Sequence, residues 1–218
     1  MGSITRGLSN NITTGGVILP TGITNSSVSA VTSFANASGG TLILLSTQTA
    51  SNSATISFTT GLDSTYDLYE FKFIDIAPVT DDQFFVFNAS SDGGSNYNVT
   101  KTTTFFEAQH DEAGTAGSLG YRTADDIAQG TGFQRLLRNI GNGADENAVG
   151  NLQIFNPSST TYVKHFIGTG STYYSGNQEF NAYYAGYLNT TSAINAIQFK
   201  MESGNFSGTI KLYGVKKS

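Results

Sequence analysis

Between Val149 and Gly170 the chain reads VGNLQIFNPSSTTYVKHFIGTG, and this stretch limits the fold more than any other. Leu152 and Ile154, then Tyr162 and Phe166, alternate with polar neighbours, the period of strands that bury one face. Asn156, Pro157, Ser158 and Ser159 lie between them, where proline and short polar side chains favour a chain reversal.

Similar runs recur. Thr41–Thr47 and Ala54–Thr60 flank a short Ser/Asn loop. Tyr66–Val79 places Tyr69, Phe71 and Phe73 on one face and Leu68, Ile74 and Ile76 on the other. Gln83–Ala89 is aromatic on both faces, and Asp81 and Asp82 before it read as charges guarding a sticky edge. Asn98–Ala108, Phe180–Leu188, Ile194–Glu202 and Gly208–Lys216 complete the set. Ser203, Gly204 and Asn205 form the expected hairpin between the last two. Thr131–Gly143 carries Phe133, Leu136, Leu137 and Ile140 at spacings that fit a helix or a strand, and its β surroundings favour the strand. Asp111–Gly120 reads as a Gly/Ala-rich surface loop. About ten strands are too many for one open sheet without curling or splitting. The expectation is an all-β antiparallel sandwich, jelly-roll-like, over residues 41–218.

Residues 1–40 differ. Arg6 is the only charge, and Gly15, Gly16, Pro20 and Gly22 interrupt the segment. Ile4, Leu8, Val17, Ile18, Leu19, Ile23, Val28, Val31 and Phe34 recur without a clean period. Such a chain buries too little alone to offset an ordering cost of about 1–2 kcal/mol per residue. Against a partner, each fully buried apolar side chain contributes about 1.5–3 kcal/mol. The segment is therefore expected to be an extended attachment arm, with those nine residues at an interface.

Charged residues make up 12% of the 218, about half the usual share, and the net charge is −5. No basic patch of the kind nucleic acid requires is present. No apolar run approaches a membrane span, and no signal-peptide core follows Met1. With no Cys there is no disulfide or thiol chemistry. His110 and His165 lack a second ligand at a recognised spacing and read as structural or solvated. No G-x-S-x-G elbow, P-loop or HExxH occurs. Asp92–Asn96 groups oxygens at a tight turn that calcium would accept, but it lacks the full spacing of a calcium loop. Asp125–Asp126 reads as a turn or helix start. No cofactor, metal or catalytic activity is expected. Tyr173, Tyr174, Tyr183, Tyr184 and Tyr187 lie close in sequence, and Tyr183 and Tyr184 are the candidate glycan contacts.

Three stretches taken together, SDGGSNYNVTKTTTFFEAQ (91–109), IGNGADENAVGNLQIFNPSSTTYVKHFIG (140–168) and AIQFKMESGNFSGTIKLYGVKKS (196–218), carry a resemblance. The chain resembles β-rich virion structural proteins of tailed phages of marine bacteria and cyanobacteria. The resemblance spans roughly residues 41–218, with GTIKLYGV its most distinctive piece. It implies a non-enzymatic virion component of capsid-decoration, tail or fibre type. Such a protein is made in the host cytoplasm, resides in the virion and contacts other virion proteins and its own copies in a closed homo-oligomer such as a trimer. The alternative is a carbohydrate-binding module of a fibre that recognises a host surface glycan. Neither reading involves nucleic acid or membrane.

Overall fold

The alternation resolves into strands from Leu42 to Val215, separated by loops. A computed structural model describes residues 41–174 and 176–216, together with Ile12–Thr13 and Gly16–Val17. The chain divides into two compact units, Met1–Gly39 and Gly40–Ser218. In the first, β1 (Ile12–Thr13) and β2 (Gly16–Val17) pair antiparallel with Ile12 opposite Val17. The arm's other eight interface candidates, Ile4, Leu8, Ile18, Leu19, Ile23, Val28, Val31 and Phe34, lie outside the described residues, as does the side chain of Val17.

The second unit holds β3 (Leu42–Ser53), β4 (Thr55–Phe58), β5 (Leu68–Pro78), β6 (Gln83–Ser90), β7 (Lys101–Asp111) and β8 (Gly117–Tyr121). It continues with β9 (Gln134–Ile140), β10 (Ala148–Phe155), β11 (Lys164–Tyr174), β12 (Gln178–Leu188), β13 (Ala196–Met201) and β14 (Phe206–Val215). The described residues contain no helix. One sheet has eight strands in the order β3-β14-β5-β10-β11-β12-β7-β8; the other has four, β4-β13-β6-β9.

Every pairing is antiparallel, and the pairings reveal a plan. β3 pairs with β14, β4 with β13, β5 with β10 and β6 with β9. The first four of these eight strands run out and the other four return beside them. This double ribbon then folds over, placing its strands alternately in two sheets. That is the jelly roll. Two hairpins are inserted into it: β7–β8 between β6 and β9, and β11–β12 between β10 and β13. β12 pairs with β7 along its whole length, from Gln178 opposite Asp111 to Leu188 opposite Lys101. The two insertions thereby join into a four-stranded extension of one sheet.

Between the sheets lies an aromatic core. Phe199 of β13 is surrounded by Phe71 at 5.1 Å, Phe73 at 5.2 Å and Phe85 at 5.8 Å between ring centres. Phe58 lies 6.2 Å away and Phe87 6.4 Å. Most of these contacts are edge-to-face, the arrangement that ring quadrupoles favour. All six rings are buried.

The strand reading of Thr131–Gly143 agrees with β9. Other expectations need correction. The Ser/Asn segment near Ser51 is no loop, because β3 continues through Ser53 and keeps its pairing to β14. Backbone pairing at an edge does not require apolar side chains. Ile76 shares the buried face with Tyr69, Phe71 and Phe73. Asp75, at φ 52°, is an extra residue that resets the alternation, and the pairing of both neighbouring strands shifts there. Ser203–Asn205 does not close a hairpin, since β13 and β14 belong to different sheets. Its Gly204, at φ 76°, turns the chain from one sheet to the other. Half of the expected Asp111–Gly120 loop is in strands, with Gly117–Tyr121 pairing to β7. Tyr162 precedes β11 and is exposed, outside the alternation of Phe166.

Phe199→Ala should destabilise the unit by about 3–5 kcal/mol, the range for an emptied aromatic core site. Urea unfolding read by far-ultraviolet circular dichroism measures it, and a loss below about 1 kcal/mol would contradict the packing described.

Candidate functional site

The sheet extension is where polar, aromatic and charged side chains gather. Its inner and outer faces follow from strand alternation. On β12, Phe180, Ala182, Tyr184 and Leu188 point inward and are buried, while Tyr183 points outward. Tyr183 and Tyr184, the two candidate glycan contacts, therefore lie on opposite faces. Tyr184 corrects the expectation. It is buried, and its hydroxyl donates to the Asn151 backbone oxygen at 2.5 Å. Burial pushes its pKa well above the ordinary tyrosine value. Gly168 lets this ring lie across β11, since a Cβ there would stand 2.4 Å from it. Tyr183 is exposed and stacks on Phe106 of β7, ring centres 4.9 Å apart and planes within 6°.

Two further outward positions complete this face. Tyr187, opposite His165 on β11 and Thr102 on β7, lies 6.1 Å from the imidazole ring. Its hydroxyl accepts from Gln129 Nε2 at 3.2 Å. The same amide nitrogen donates to Thr102 Oγ1 at 2.7 Å, and Asn189 Nδ2 donates to Gln129 Oε1 at 2.7 Å. Sequence reading named Tyr187 among the clustered tyrosines but did not single it out. The i, i+4 spacing from Tyr183 on a strand is the signal that puts the two on one face.

The inner face carries a buried ionic cluster. Glu107 of β7 is fully buried and accepts from Arg122 at 2.7 Å and Arg138 at 2.9 Å through one oxygen. Asp125 pairs with Arg135 at 2.6 Å and lies 3.5 Å from Arg138. Arg135 also reaches Glu202 at 2.8 Å and places its guanidinium 3.9 Å from the centre of the Phe84 ring. Thr103 Oγ1 donates to Gln134 Oε1 at 2.6 Å. Buried Lys101 donates to the Gly132 backbone oxygen at 2.6 Å, and burial pulls its pKa down to about 8. These contacts fasten the connection between β8 and β9 beneath β7. Glu107 and Asp125 are both committed to guanidinium groups, so the cluster acts as a clamp. The Asp125–Asp126 pair belongs to this clamp and its margin, with Asp126 accepting from the Tyr121 hydroxyl.

The remaining candidates are tied to their own turns. Asp92 accepts from Ser90 Oγ at 2.6 Å, from the Asn96 amide at 2.9 Å and from Asn96 Nδ2 at 2.7 Å. Those bonds, Ser90 first, hold its carboxyl down at about 2. Asp111 likewise accepts from Thr115 and Ala116. His110 and Asp111 line a depression of about 290 Å³ with Glu112, Tyr173, Gln178 and Glu179. His165 stands on the outer face, far along the strand pair from that depression. Among the described residues, no three His, Cys, Asp or Glu side chains gather as a metal-binding group. Comparison with protein-family models, curated proteins and solved structures finds no significant match to this chain.

Two measurements test the clamp. Glu107→Ala removes the buried carboxylate that two partly exposed guanidinium groups share and should cost about 1–3 kcal/mol of stability in urea unfolding; a loss under about 0.5 kcal/mol would contradict it. The second concerns Lys101. The unfolded chain, with lysine at its ordinary 10.5, holds a proton that the folded chain releases above about 8. Stability relative to Lys101→Met therefore rises with pH across that window. The difference in melting temperature between wild type and variant should move in favour of wild type from pH 7 to pH 10. A difference that stays constant would contradict the shift.

Proposed function

We propose that this protein is a non-enzymatic structural component of a phage particle, held there through residues 1–40 and packed beside copies of itself or other virion proteins. The observation that carries the reading is the character of the broad sheet's two edges. Neither β3 (LILLSTQTASNS) nor β8 (GSLGY) contains a charge or a proline. Leu44 is 53% exposed on one edge and Leu119 72% on the other. Proteins that work alone usually guard a sheet edge with Lys, Pro or a covering segment. A subunit surrounded by neighbours gains instead from edges without such charges or prolines, since each offers backbone pairing and apolar contact. The jelly roll agrees with this reading but assigns no function by itself, as it serves capsid proteins and lectins alike.

The arm supplies the attachment in this proposal. In this reading its apolar residues are buried against a partner, and Arg6 is its only charge. A closed homo-oligomer such as a trimer satisfies the edges symmetrically.

Deleting residues 2–40 should leave a soluble β unit with unchanged circular dichroism that is no longer incorporated into particles. Particle purification followed by quantitative mass spectrometry reads this. Incorporation of the truncated protein at normal copy number would show that the arm is not the anchor.

A further inference from the structure

The outer face of the extension has a second feature that neither edge pairing nor the arm uses. In the second half of β12 the outward residues are Tyr183, Ala185 and Tyr187, with the two tyrosines about 13 Å apart at ~3.3 Å per residue. Ala185 faces Thr104 on one side and Ile167 on the other. Its small side chain leaves a trough of about 250 Å³ ending at Tyr187 and His165. On the other side of His165 a second depression, about 340 Å³, runs to Phe155, Asn156 and Tyr162. His165 borders both, so the two depressions adjoin along one path across the sheet face with His165 between them.

We propose that this path is a binding site for a neutral oligosaccharide. The first argument is charge. Neither depression is lined by any Asp, Glu, Lys or Arg, whereas the depression at His110 is lined by Asp111, Glu112 and Glu179. An uncharged lining offers no fixed cation to pair with a phosphate, sulfate or carboxylate, whose desolvation its neutral donors offset only in part. The second argument is the mixture of groups. Tyr162 is 71% exposed, and Tyr187 and Phe155 add aromatic surface. Thr104, His165 and Asn156 stand among them as hydrogen-bonding groups. A sugar ring presents an apolar C–H face to an aromatic ring and hydroxyls at its rim, and this lining matches both.

The third argument is that the platform is fixed before any ligand arrives. Gln129 bridges Thr102 Oγ1 and the Tyr187 hydroxyl, and Asn189 holds Gln129. Ser159 Oγ accepts from the amides of Thr161 and Tyr162 at 3.2 and 3.1 Å, which fixes the backbone carrying the Tyr162 ring. Side chains already ordered lose little entropy on binding. The site differs from the pair expected from sequence: Tyr184 is buried, and Tyr183 is stacked on Phe106.

The test uses the full chain on an array of neutral gluco-, galacto- and manno-oligosaccharides beside sialylated and sulfated glycans, with hits titrated by calorimetry. Saturable binding to a neutral glycan is expected. Tyr162→Ala and Tyr187→Ala should each weaken it at least tenfold, with unchanged circular dichroism. Tyr121→Ala, on the same face but at the β8 edge, should keep affinity within twofold. Since Tyr162 lies in an exposed loop, its variant keeps the test valid even if Tyr187→Ala disturbs folding. No saturable neutral binding, preference for acidic glycans, or neutral binding indifferent to both variants would each overturn the proposal. Particle incorporation is a separate readout, so this proposal and the structural one fail independently.

Discussion

The packing of Phe199 against Phe58, Phe71, Phe73, Phe85 and Phe87 is the contact on which the rest of the second unit depends. It is where the two sheets meet, and it joins rings from β4, β5, β6 and β13. Without it the double ribbon has no reason to fold over on itself. Pairing of β3 with β14 and β4 with β13 then brings the first and last strands of the second unit side by side. Burial of such rings dominates the favourable side of folding for a chain with so few charges.

The second level of order is the extension. Neither inserted hairpin has a stable existence alone, since a two-stranded hairpin is marginal in water. They stabilise each other through the β7–β12 seam. The Glu107–Arg122–Arg138 clamp fills the inner side of that seam, where the four-stranded sheet provides little cover beyond β9. On the outer side, the part around Ala185 carries aromatic and uncharged polar residues beside a trough, while His110 and Glu179 stand at the other end of the β7–β12 pair.

Much of this was legible in the sequence, and the failures have physical causes. Leu152, Ile154 and Phe166 alternate as one-sided strands must, and all three are buried. The ambiguous Leu136–Ile140 segment was settled correctly by its β surroundings. Alternation failed where the backbone inserts a residue: Asp75 resets the period, and nothing in FKFIDIAP announces a bulge. It also failed at Tyr183 and Tyr184, where adjacent tyrosines must face opposite ways and sequence alone does not say which is outside. Ser203–Asn205 has hairpin chemistry, yet it joins different sheets because β14 finds its partners in β3 and β5. The seam between β7 and β12 links residues some 80 positions apart (Thr104 and Ala185 are separated by 81). Such pairing has no local signature. Glu107, Arg122 and Arg138 are isolated charges in the sequence, because a clamp becomes visible only when two strands and a loop are assembled.

The account rests on one structural claim above the others: the two insertions form a continuous sheet with the jelly roll, giving a rigid outer face. Amide hydrogen exchange of the full chain tests it most directly. If the claim holds, amides of β12 that pair with β7, around Tyr183 opposite Phe106 and Ala185 opposite Thr104, are protected to a degree comparable with those joining β14 to β5. Exchange of the β7 and β12 amides within seconds, while β5 and β14 stay protected, would show two independent loops in place of a sheet and would contradict the account.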